Sequence, residues 1–272
     1  MADGGDVETA AEKPASRDSE GSFVKILKLL DFVAEAGQPL RFSDIQIGTG
    51  LTKGTLHRLL KLLLEEDMLA YDETARGYSV GFRTMRLAHA AWRVSSLTGA
   101  AKEALDRLSR ETHETLHLAA LDGYQVLYLD KRQALRAVSM FSSAGKIGPA
   151  YCTGVGKAML SALSADRLAK AAEVQTFKRY TANTVTSEEA LLAEVAAIRA
   201  RGYSIDNEEH EPGIICIAKP ILTAEGELLG GLSITGSTHV LTIDRLKGFL
   251  PALERAVADI AARATIMRVP TL

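Results

Sequence analysis

The sequence predicts an α+β protein with an N-terminal winged helix-turn-helix and a C-terminal α/β part whose sheet is largely antiparallel. Residues 22–66 show the apolar spacing of three helices, of which the last two follow each other closely. Residues 68–81 hold two short alternating runs around a turn rich in Asp, Thr and Gly, which is typical of a β-hairpin. From Thr115 onward the apolar period changes from helical to two, which indicates strands.

Composition places the chain among ordinary globular proteins. Its 272 residues are 47% hydrophobic and 24% charged, enough apolar material for a proper core. No apolar run approaches the roughly 18 residues of a membrane span, and the N-terminus does not look like a secretory signal. Cys152 and Cys216 are the two cysteines, too few for a disulfide framework. We therefore expect a cytoplasmic protein that does not bind a membrane.

Charge is distributed unevenly along the chain. The net charge is −2, but residues 1–21 hold six acids against Lys13 and Arg17 and lack apolar periodicity. The sequence therefore predicts a disordered acidic tail over 1–21. Because the bulk charge is not positive, any binding of nucleic acid must depend on a local basic face.

Such a face is predicted on a helix over residues 52–66. Its leucines have the 0, 3, 4, 7 spacing of one buried stripe: Leu56, Leu59, Leu60 and Leu63. The opposite face carries Lys53, Gly54, His57, Arg58 and Lys61, and Thr52 is placed to be the N-cap. One interpretation is a solvated surface helix. The other is a recognition helix whose first turns meet DNA through Thr52, Lys53, Thr55, His57 and Arg58, with Arg76 near the wing tip on the backbone phosphates.

Two shorter helices are predicted before it. In the first, Ser22 is the expected cap and the expected core stripe is Phe23, Ile26, Leu27, Leu30 and Val33 or Ala34. In the second, over residues 40–50, Ser43 is the expected cap and Ile45 and Ile47 are the apolar residues.

The remaining elements follow from the same patterns. Residues 83–98 predict a linker helix with an apolar seam suited to a dimer contact, and a further helix follows over 100–112. A hairpin is predicted over 115–130, with Leu116 and Leu118 alternating with His117. Further helices are predicted at 154–163, 164–172, 187–201 and 242–264, and further strands at 203–206, 214–222 and 228–235.

The run His113-Glu114-Thr115-Leu116-His117 matches the pattern of zinc hydrolases, in which one helix presents both histidines to the metal. Here the run crosses the point where helix gives way to strand. Along a strand, residues four apart are separated by about 13 Å, too far to share an ion. A metal-dependent hydrolase using His113, Glu114 and His117 is the alternative hypothesis.

Two other polar clusters suggest binding rather than catalysis. Gly154-Val155-Gly156-Lys157 lacks the full phosphate-loop pattern, but a glycine-rich helix start leaves backbone amides free for an anion. The acidic run 206–211 could hold a divalent cation, although a solvated loop is the usual case. Cys216, on an apolar strand, is expected to be a small buried residue. The sequence thus predicts no cofactor and no resident metal.

The chain resembles bacterial transcriptional regulators of the IclR family over residues 22–264. The wing, 69–81, is similar to the family's Leu-x-x-Asp…Tyr-x-Leu-Gly pattern. More specific are the runs Tyr151–Leu160, Arg201–Ala218 and Gly231–Gly236. Gly54 stands where Ser or Ala is usual, and Ile47-Gly48 replaces an Ala-rich helix end, which bears on base specificity.

This resemblance implies a winged helix-turn-helix DNA-binding domain over 22–82, a linker helix over 83–98 and a GAF-like effector-binding domain over 99–272. It implies a homodimer or a dimer of dimers. The family's effector pocket falls on Met140, Gly154, Val155, Asp206, Ile214, Cys216, Ser233 and Thr235.

The expected function is therefore that of a ligand-responsive transcriptional regulator, not an enzyme. Its partners would be double-stranded operator DNA and a small organic acid. The amides of Gly154 and Val155 would bind the carboxylate, and Asp206 would accept a hydrogen bond from a ligand hydroxyl, which suits a hydroxy- or sugar acid. A third hypothesis is a ligand sensor whose winged helix contacts protein rather than DNA.

Overall fold

The computed structural model describes residues 21–94, 97–134, 140–267, 269 and 271. The chain divides into two compact units between residues 91 and 92. Nearly all of the predicted acidic tail, residues 1–20, lies outside the described residues, as do residues 95 and 96 of the predicted linker. Across the described helices, none combines the length and apolarity needed to cross a bilayer.

The first unit is a winged helix-turn-helix. Its elements are α1 (Ser22–Glu35), α2 (Phe42–Thr49), α3 (Lys53–Glu65), β1 (Leu69–Asp72), β2 (Gly77–Val80) and the start of α4 (Phe82–Val94). Strands β1 and β2 pair antiparallel. The four leucines of α3 are buried, as predicted, and pack with Leu29, Val33, Ile45 and Leu69 in one apolar core. Burial of this leucine stripe leaves the opposite, basic face of α3 outside the core.

The buried face of α1 agrees with the prediction in part, since Val33 is buried and Ile26 and Leu30 pack against the core. Gly21 is the N-cap and Ser22 is the first helical residue. Leu29 and Val33 are buried, whereas Phe23 is 69% exposed and Leu27 is also exposed. Both pairs have i, i+4 spacing, so the sequence offers two apolar stripes. Packing of α1 against α2 and β2 selects one of them.

Helix α2 begins one residue before the predicted cap. Arg41 is the N-cap, Ser43 lies inside the helix, and Ile47 is 83% exposed while Ile45 is buried. Gly48 has a packing reason, because a Cβ there would lie 2.1 Å from the Phe32 ring. Gly48 is part of the Ile47-Gly48 pair that departs from the family pattern. Its missing side chain therefore permits a close approach of α1 and α2.

The second unit contains a six-stranded sheet with helices on both faces. The strand order is β5-β4-β3-β8-β7-β6, and every neighbouring pair is antiparallel, as predicted. The strands are β3 (Thr115–Asp122), β4 (Gln125–Arg132), β5 (Ile147–Gly148), β6 (Ser204–Asn207), β7 (Ile214–Leu222) and β8 (Leu228–Ser237). The helices are α5 (Leu97–Thr112), α6 (Gly154–Ser161), α7 (Ala165–Glu173), α8 (Glu188–Arg201), α9 (Ile243–Lys247) and α10 (Leu250–Ile266).

Two differences from the predicted elements have local causes. The short edge strand β5 was not predicted, since two residues carry no periodicity. The single helix predicted over 242–264 is two helices, because Pro251 occupies the first turn of α10, where its missing N–H costs nothing.

The two-residue period of β7 assigns its side chains to opposite layers. Ile215 and Ile217 pack in a core with α5, α9 and α10. Ala218 packs in the other core with α6, α7 and α8, and Cys216 lies on that same face against Gly154 of α6. The polar cavity described next is on this second side of the sheet.

Candidate functional site

The N-terminus of α3 has the predicted cap. The Thr52 hydroxyl accepts from the Thr55 amide at 3.4 Å and donates to the Thr55 hydroxyl at 2.9 Å. Thr55 is half-buried, whereas Lys53, His57 and Arg58 are exposed. Both threonine hydroxyls are therefore engaged in helix capping, and the three basic side chains are the freer groups on this surface.

Arg58 reaches back to the first helix of the unit. Its Nη2 lies 3.4 Å from the Ser22 hydroxyl, a contact that occupies one of its five donors. Lys61, one turn further along, is 3.7 Å from Glu65 in an exposed i, i+4 pair. Arg58 thus keeps most of its guanidinium available near the start of α3.

The wing tip is a defined turn rather than a loose loop. Oδ1 of Asp72 accepts from the amides of Thr74 at 2.8 Å and Ala75 at 2.9 Å. Arg76 then adopts a left-handed conformation, with φ of 51°, and its side chain is exposed. The turn holds Arg76 at the outer end of the hairpin, where a phosphate contact is sterically open.

In the second unit, a cavity brings together all eight residues predicted for the effector pocket. They are Met140, Gly154, Val155, Asp206, Ile214, Cys216, Ser233 and Thr235. Six further lining residues were not predicted: His117, Tyr128, Ser142, Thr153, His210 and Glu211. The space not filled by atoms is about 400 Å³ including the open mouth, of which about 30 Å³ can hold the centre of a water-sized sphere.

Three of the missed residues, His117, His210 and Glu211, lie in two segments that were interpreted differently. The functional hypothesis for His117 was a metal motif, although its strand register places it opposite Ser233 of β8. The polar alternation of Ser233 and Thr235 was the available signal for a polar partner on β3. His210 and Glu211 belong to the acidic run that was expected to be solvated, and tertiary contacts draw them into the wall.

The hydrolase alternative finds no support in the geometry. His113 lies at the end of α5 with φ of 57°, and His117 lies in β3, so the two are not on one helix. Nδ1 of His117 is 3.3 Å from the Ser233 hydroxyl and 3.2 Å from that of Thr235, and Nε2 is 2.7 Å from that of Ser142. Within the described part of the chain, no three metal-ligating side chains are grouped to hold an ion.

Asp206 lies in the cavity wall beside the N-terminus of α6. Its Oδ1 accepts from the Glu209 amide at 2.9 Å, and a Cβ at residue 154 would lie 3.3 Å from the Cβ of Asp206. Burial, and then the charge of Glu209, raise the pKa of Asp206 to about 7. The carboxyl group of Asp206 thus stands close to Gly154, whose amide is predicted to bind a ligand carboxylate.

Gly154 is required where α6 meets β7. A Cβ at residue 154 would lie 2.2 Å from Sγ of Cys216 and 3.3 Å from Cβ of Asp206. Burial raises the pKa of the Cys216 thiol, so it is a neutral wall group and a poor nucleophile. The start of α6 can approach the sheet this closely only without a side chain.

Behind the cavity lies a buried ion-pair network. Lys157 is 1% exposed, and its Nζ pairs with Oε1 of Glu209 at 2.5 Å and of Glu194 at 3.3 Å. Burial would lower the pKa of Lys157, but the two carboxylates raise it above its usual value. Glu209 is also buried, so the acidic run is not simply a solvated loop, as had been expected. Lys157 is thus a structural cation and not a phosphate ligand.

One wall of the cavity is the short segment 140–142. Met140 and Ser142 face the cavity, while Phe141 lines an open groove of about 620 Å³ on the other side. The Phe141 amide donates to both oxygens of Glu211, at 3.1 and 3.0 Å. Lys131 Nζ donates to the Ser142 carbonyl at 2.8 Å. Side-chain contacts, and not sheet pairing, hold this wall.

Comparison with known proteins covers both units. Residues 22–73 match the sequence profile of the IclR helix-turn-helix domain, and residues 89–262 match that of the C-terminal part of the bacterial transcriptional regulator IclR. The regulator KdgR of Escherichia coli K12 is 31% identical over 90% of this chain and 93% of its own. XynR of the same strain is 31% identical over 86% of this chain and 93% of its own.

Solved structures agree on the fold. The crystal structure of Thermotoga maritima IclR has a TM-score of 0.73 and 26% identity, covering 89% of this chain and 98% of that one. An IclR homologue of Microbacterium hydrocarbonoxydans, complexed with 4-hydroxybenzoate, has a TM-score of 0.79 at 21% identity, covering 90% and 100%, and shows the fold alone.

A helix-turn-helix unit joined to a C-terminal effector domain defines a class of transcriptional regulators, not of enzymes. Both profiles match, and relatives above 30% identity align along nearly their whole length. The chain belongs to the IclR family of bacterial transcriptional regulators.

Proposed function

We propose that the chain binds operator DNA through α3 and the wing and is controlled by a small organic acid in the cavity of the second unit. Residues 22–82 would form the DNA-binding domain, 83–98 the linker and 99–272 the effector-binding domain, acting in the cytoplasm. The observation that carries the proposal is that all eight residues expected to bind an effector line one cavity.

The DNA contact is supported by the exposed basic groups at the start of α3. Lys53, His57 and Arg58 project from the face opposite the leucine core, and Arg76 stands at the wing tip. A recognition helix contacts base edges with its N-terminal residues, while a wing contacts backbone phosphate. Thr52 and Thr55 would add hydroxyl contacts, at the cost of the bond between them.

The effector site is supported by the chemistry of its wall. Ser233 and Thr235 provide hydroxyls, and Val155 provides an amide in the first turn of α6. Asp206 can accept a hydrogen bond from a ligand hydroxyl, which favours a hydroxy- or sugar acid. Met140, Ile214 and Cys216 complete the site with apolar or weakly polar surface. The unfilled space of about 400 Å³ includes the open mouth, so a large effector would require movement of the 140–142 wall.

Dimer formation is supported by an unpaired apolar face on α4. Phe82 is 79% exposed, and Met85, one turn further along the same face, is 64% exposed. Large apolar side chains so close together favour a contact with a second copy of the helix. A homodimer or dimer of dimers would place two recognition helices on paired half-sites.

Replacing Arg58 with Ala tests the DNA contact. We expect the affinity for a duplex selected from a random library by the wild-type protein to fall well over tenfold, about 1.4 kcal/mol or more. The matched control is Arg110→Ala, which removes one exposed positive charge from α5 of the second unit. An unchanged gel-shift affinity for Arg58→Ala would contradict the assignment. If the affinity for the duplex does not fall as the salt concentration rises, the result would favour a winged helix that contacts protein instead of DNA.

Replacing Cys216 with Trp tests the effector site. A thermal-shift screen of small carboxylates, with 4-hydroxybenzoate among them, would first find stabilising compounds. We expect Cys216→Trp to fill the cavity, abolish stabilisation by those compounds and leave duplex binding intact. A retained ligand response in this variant, measured by reporter expression, would place the effector elsewhere.

A further inference from the structure

We propose that His117 makes the cavity selective for an oxyanion, because a proton fixed on its Nδ1 turns the hydroxyl hydrogens of Ser233 and Thr235 towards the ligand. The ligand class is a carboxylate held by neutral O–H donors. The inference rests on the proposed effector site, but its first test needs no effector.

Hydroxyl groups contact both nitrogens of the His117 ring. Nε2 lies 2.7 Å from the Ser142 hydroxyl, a short separation that fits a hydroxyl donating to a bare nitrogen. Nδ1 lies 3.3 Å and 3.2 Å from the hydroxyls of Ser233 and Thr235. Two such longer distances fit one N–H shared between two acceptor oxygens. A proton on Nδ1, with the Ser142 hydroxyl donating to Nε2, satisfies all three contacts.

The electrostatic surroundings favour the same form. His117 is buried, and burial followed by the charge of Lys131 lowers its pKa to about 3, against a smaller opposing effect of Glu211. The ring is thus neutral at physiological pH. Lys131 Nζ donates to the carbonyl of Ser142, the residue whose hydroxyl faces Nε2. A nearby positive charge disfavours a proton on that nitrogen.

A proton on Nδ1 also determines the direction in which the hydroxyl hydrogens of Ser233 and Thr235 point. Each has one hydrogen, and a hydroxyl that accepts from Nδ1–H directs that hydrogen elsewhere. The hydroxyl oxygens of Ser233 and Thr235 are 3.5 Å apart, close enough to share one carboxylate.

Neutral donors matter because the cavity has no cationic wall. Among the described residues that line it there is no lysine or arginine, and Asp206 and Glu211 are acids. With the opposite tautomer, Nδ1 would accept a hydroxyl hydrogen and remove a donor from the site. The tautomer of one histidine thus decides whether the cavity attracts an oxyanion.

Nitrogen NMR of the full-length protein labelled with ¹⁵N-histidine tests the tautomer directly. We expect a pyrrole-type shift for Nδ1 of His117 and a pyridine-type shift for Nε2, both unchanged between pH 6 and pH 8. The signals are assigned by their loss in His117→Asn. The reverse pattern, or titration within that range, would overturn the proposal while leaving the effector site itself untouched.

The selectivity is tested with formate, the smallest carboxylate, and formamide, its neutral counterpart of similar size. Formate should shift the backbone amide signals of Ser233 and Thr235, and formamide should not. His117→Asn places an amide where Nδ1 stood and should retain formate binding. His117→Gln reaches only the Nε2 position and should weaken binding at least about tenfold, the equivalent of one hydrogen bond to a charged group.

Thermal melts of both variants establish that they are folded before binding is measured. Equal responses to formate and formamide, no response to either, or equal loss in the Asn and Gln variants would each refute the role of His117. Failure of the larger effector assignment would instead appear as an unchanged reporter response in Cys216→Trp.

Discussion

Replacing Gly154 with Ala probes the close approach of α6 to the sheet. The backbone of Gly154 is outside the left-handed region, so alanine can adopt it without strain. The added methyl, however, would lie 2.2 Å from Sγ of Cys216. Gly54→Ala in α3 is the matched control, because nothing lies within 4 Å of a Cβ there.

The expected cost follows from opposing effects. Ordinary contacts between such atoms are about 3.5–4.0 Å, so the sulfur or the helix must move by more than roughly 1 Å. Overpacking of this kind costs about 1–3 kcal/mol. The better helix propensity of alanine returns about 0.5–1 kcal/mol. The free energy of unfolding should therefore fall by up to about 2.5 kcal/mol in Gly154→Ala, and rise by up to about 1 kcal/mol in Gly54→Ala.

A double-mutant cycle with Cys216→Ala isolates the contact. Removing the sulfur should relieve the overlap, so the two substitutions should be coupled by at least about 1 kcal/mol in urea denaturation followed by circular dichroism. The same samples should show loss of carboxylate-induced stabilisation in Gly154→Ala, since the methyl enters the cavity wall. Additive effects, with coupling below about 0.5 kcal/mol, would mean that the sulfur does not limit position 154.

Two further predictions concern the buried charges. Because the native pKa of Asp206 is raised to about 7, the native state holds a proton that the unfolded chain releases near pH 4, and this stability is lost as pH rises through 7. Asp206→Asn should therefore gain about 1.4 kcal/mol relative to the wild type between pH 6 and pH 8, and a pH-independent difference in chemical denaturation would contradict it. Lys157→Met should lower the free energy of unfolding by about 3–5 kcal/mol, because it leaves the buried Glu209 carboxylate without its cation. Lys219→Met, which breaks the more exposed Lys219–Glu254 pair, should cost less than about 1 kcal/mol, and equal melting-point losses for the two lysine variants would refute this.

Local patterns were sufficient for much of the fold. The leucine stripe and Thr52 cap of α3, the wing hairpin and the bounds of β7 all depend on neighbours within a few residues. The exposure of Phe23 and Leu27 on α1 was not predictable in this way, because two apolar stripes compete and only α2 and β2 decide between them. The division of the last helix has a sequence signal, because Pro251 favours the first turn of a new helix.

The cavity, like α1, could be predicted from the sequence only in part. Its glycine-rich helix start and the polar pair Ser233 and Thr235 could be singled out from the sequence and its family resemblance. The residues that contact them across the cavity could not be predicted in this way. His117 was predicted within a metal motif, and Glu209 within a solvated loop, whereas the structure places one against two hydroxyls and the other against Lys157.

The sequence by itself determined the order of the elements, the apolar faces of the best-patterned ones and the family to which the chain belongs. These properties depend on periodicity and short motifs, which act over a few residues. Only the tertiary structure decided the raised pKa of Asp206, the close approach of Gly154 to Cys216 and the burial of Lys157. Those properties arise where β3, β6, β8 and α6 meet, and a charge or hydrogen bond depends on groups that are distant in sequence but within a few ångströms in space.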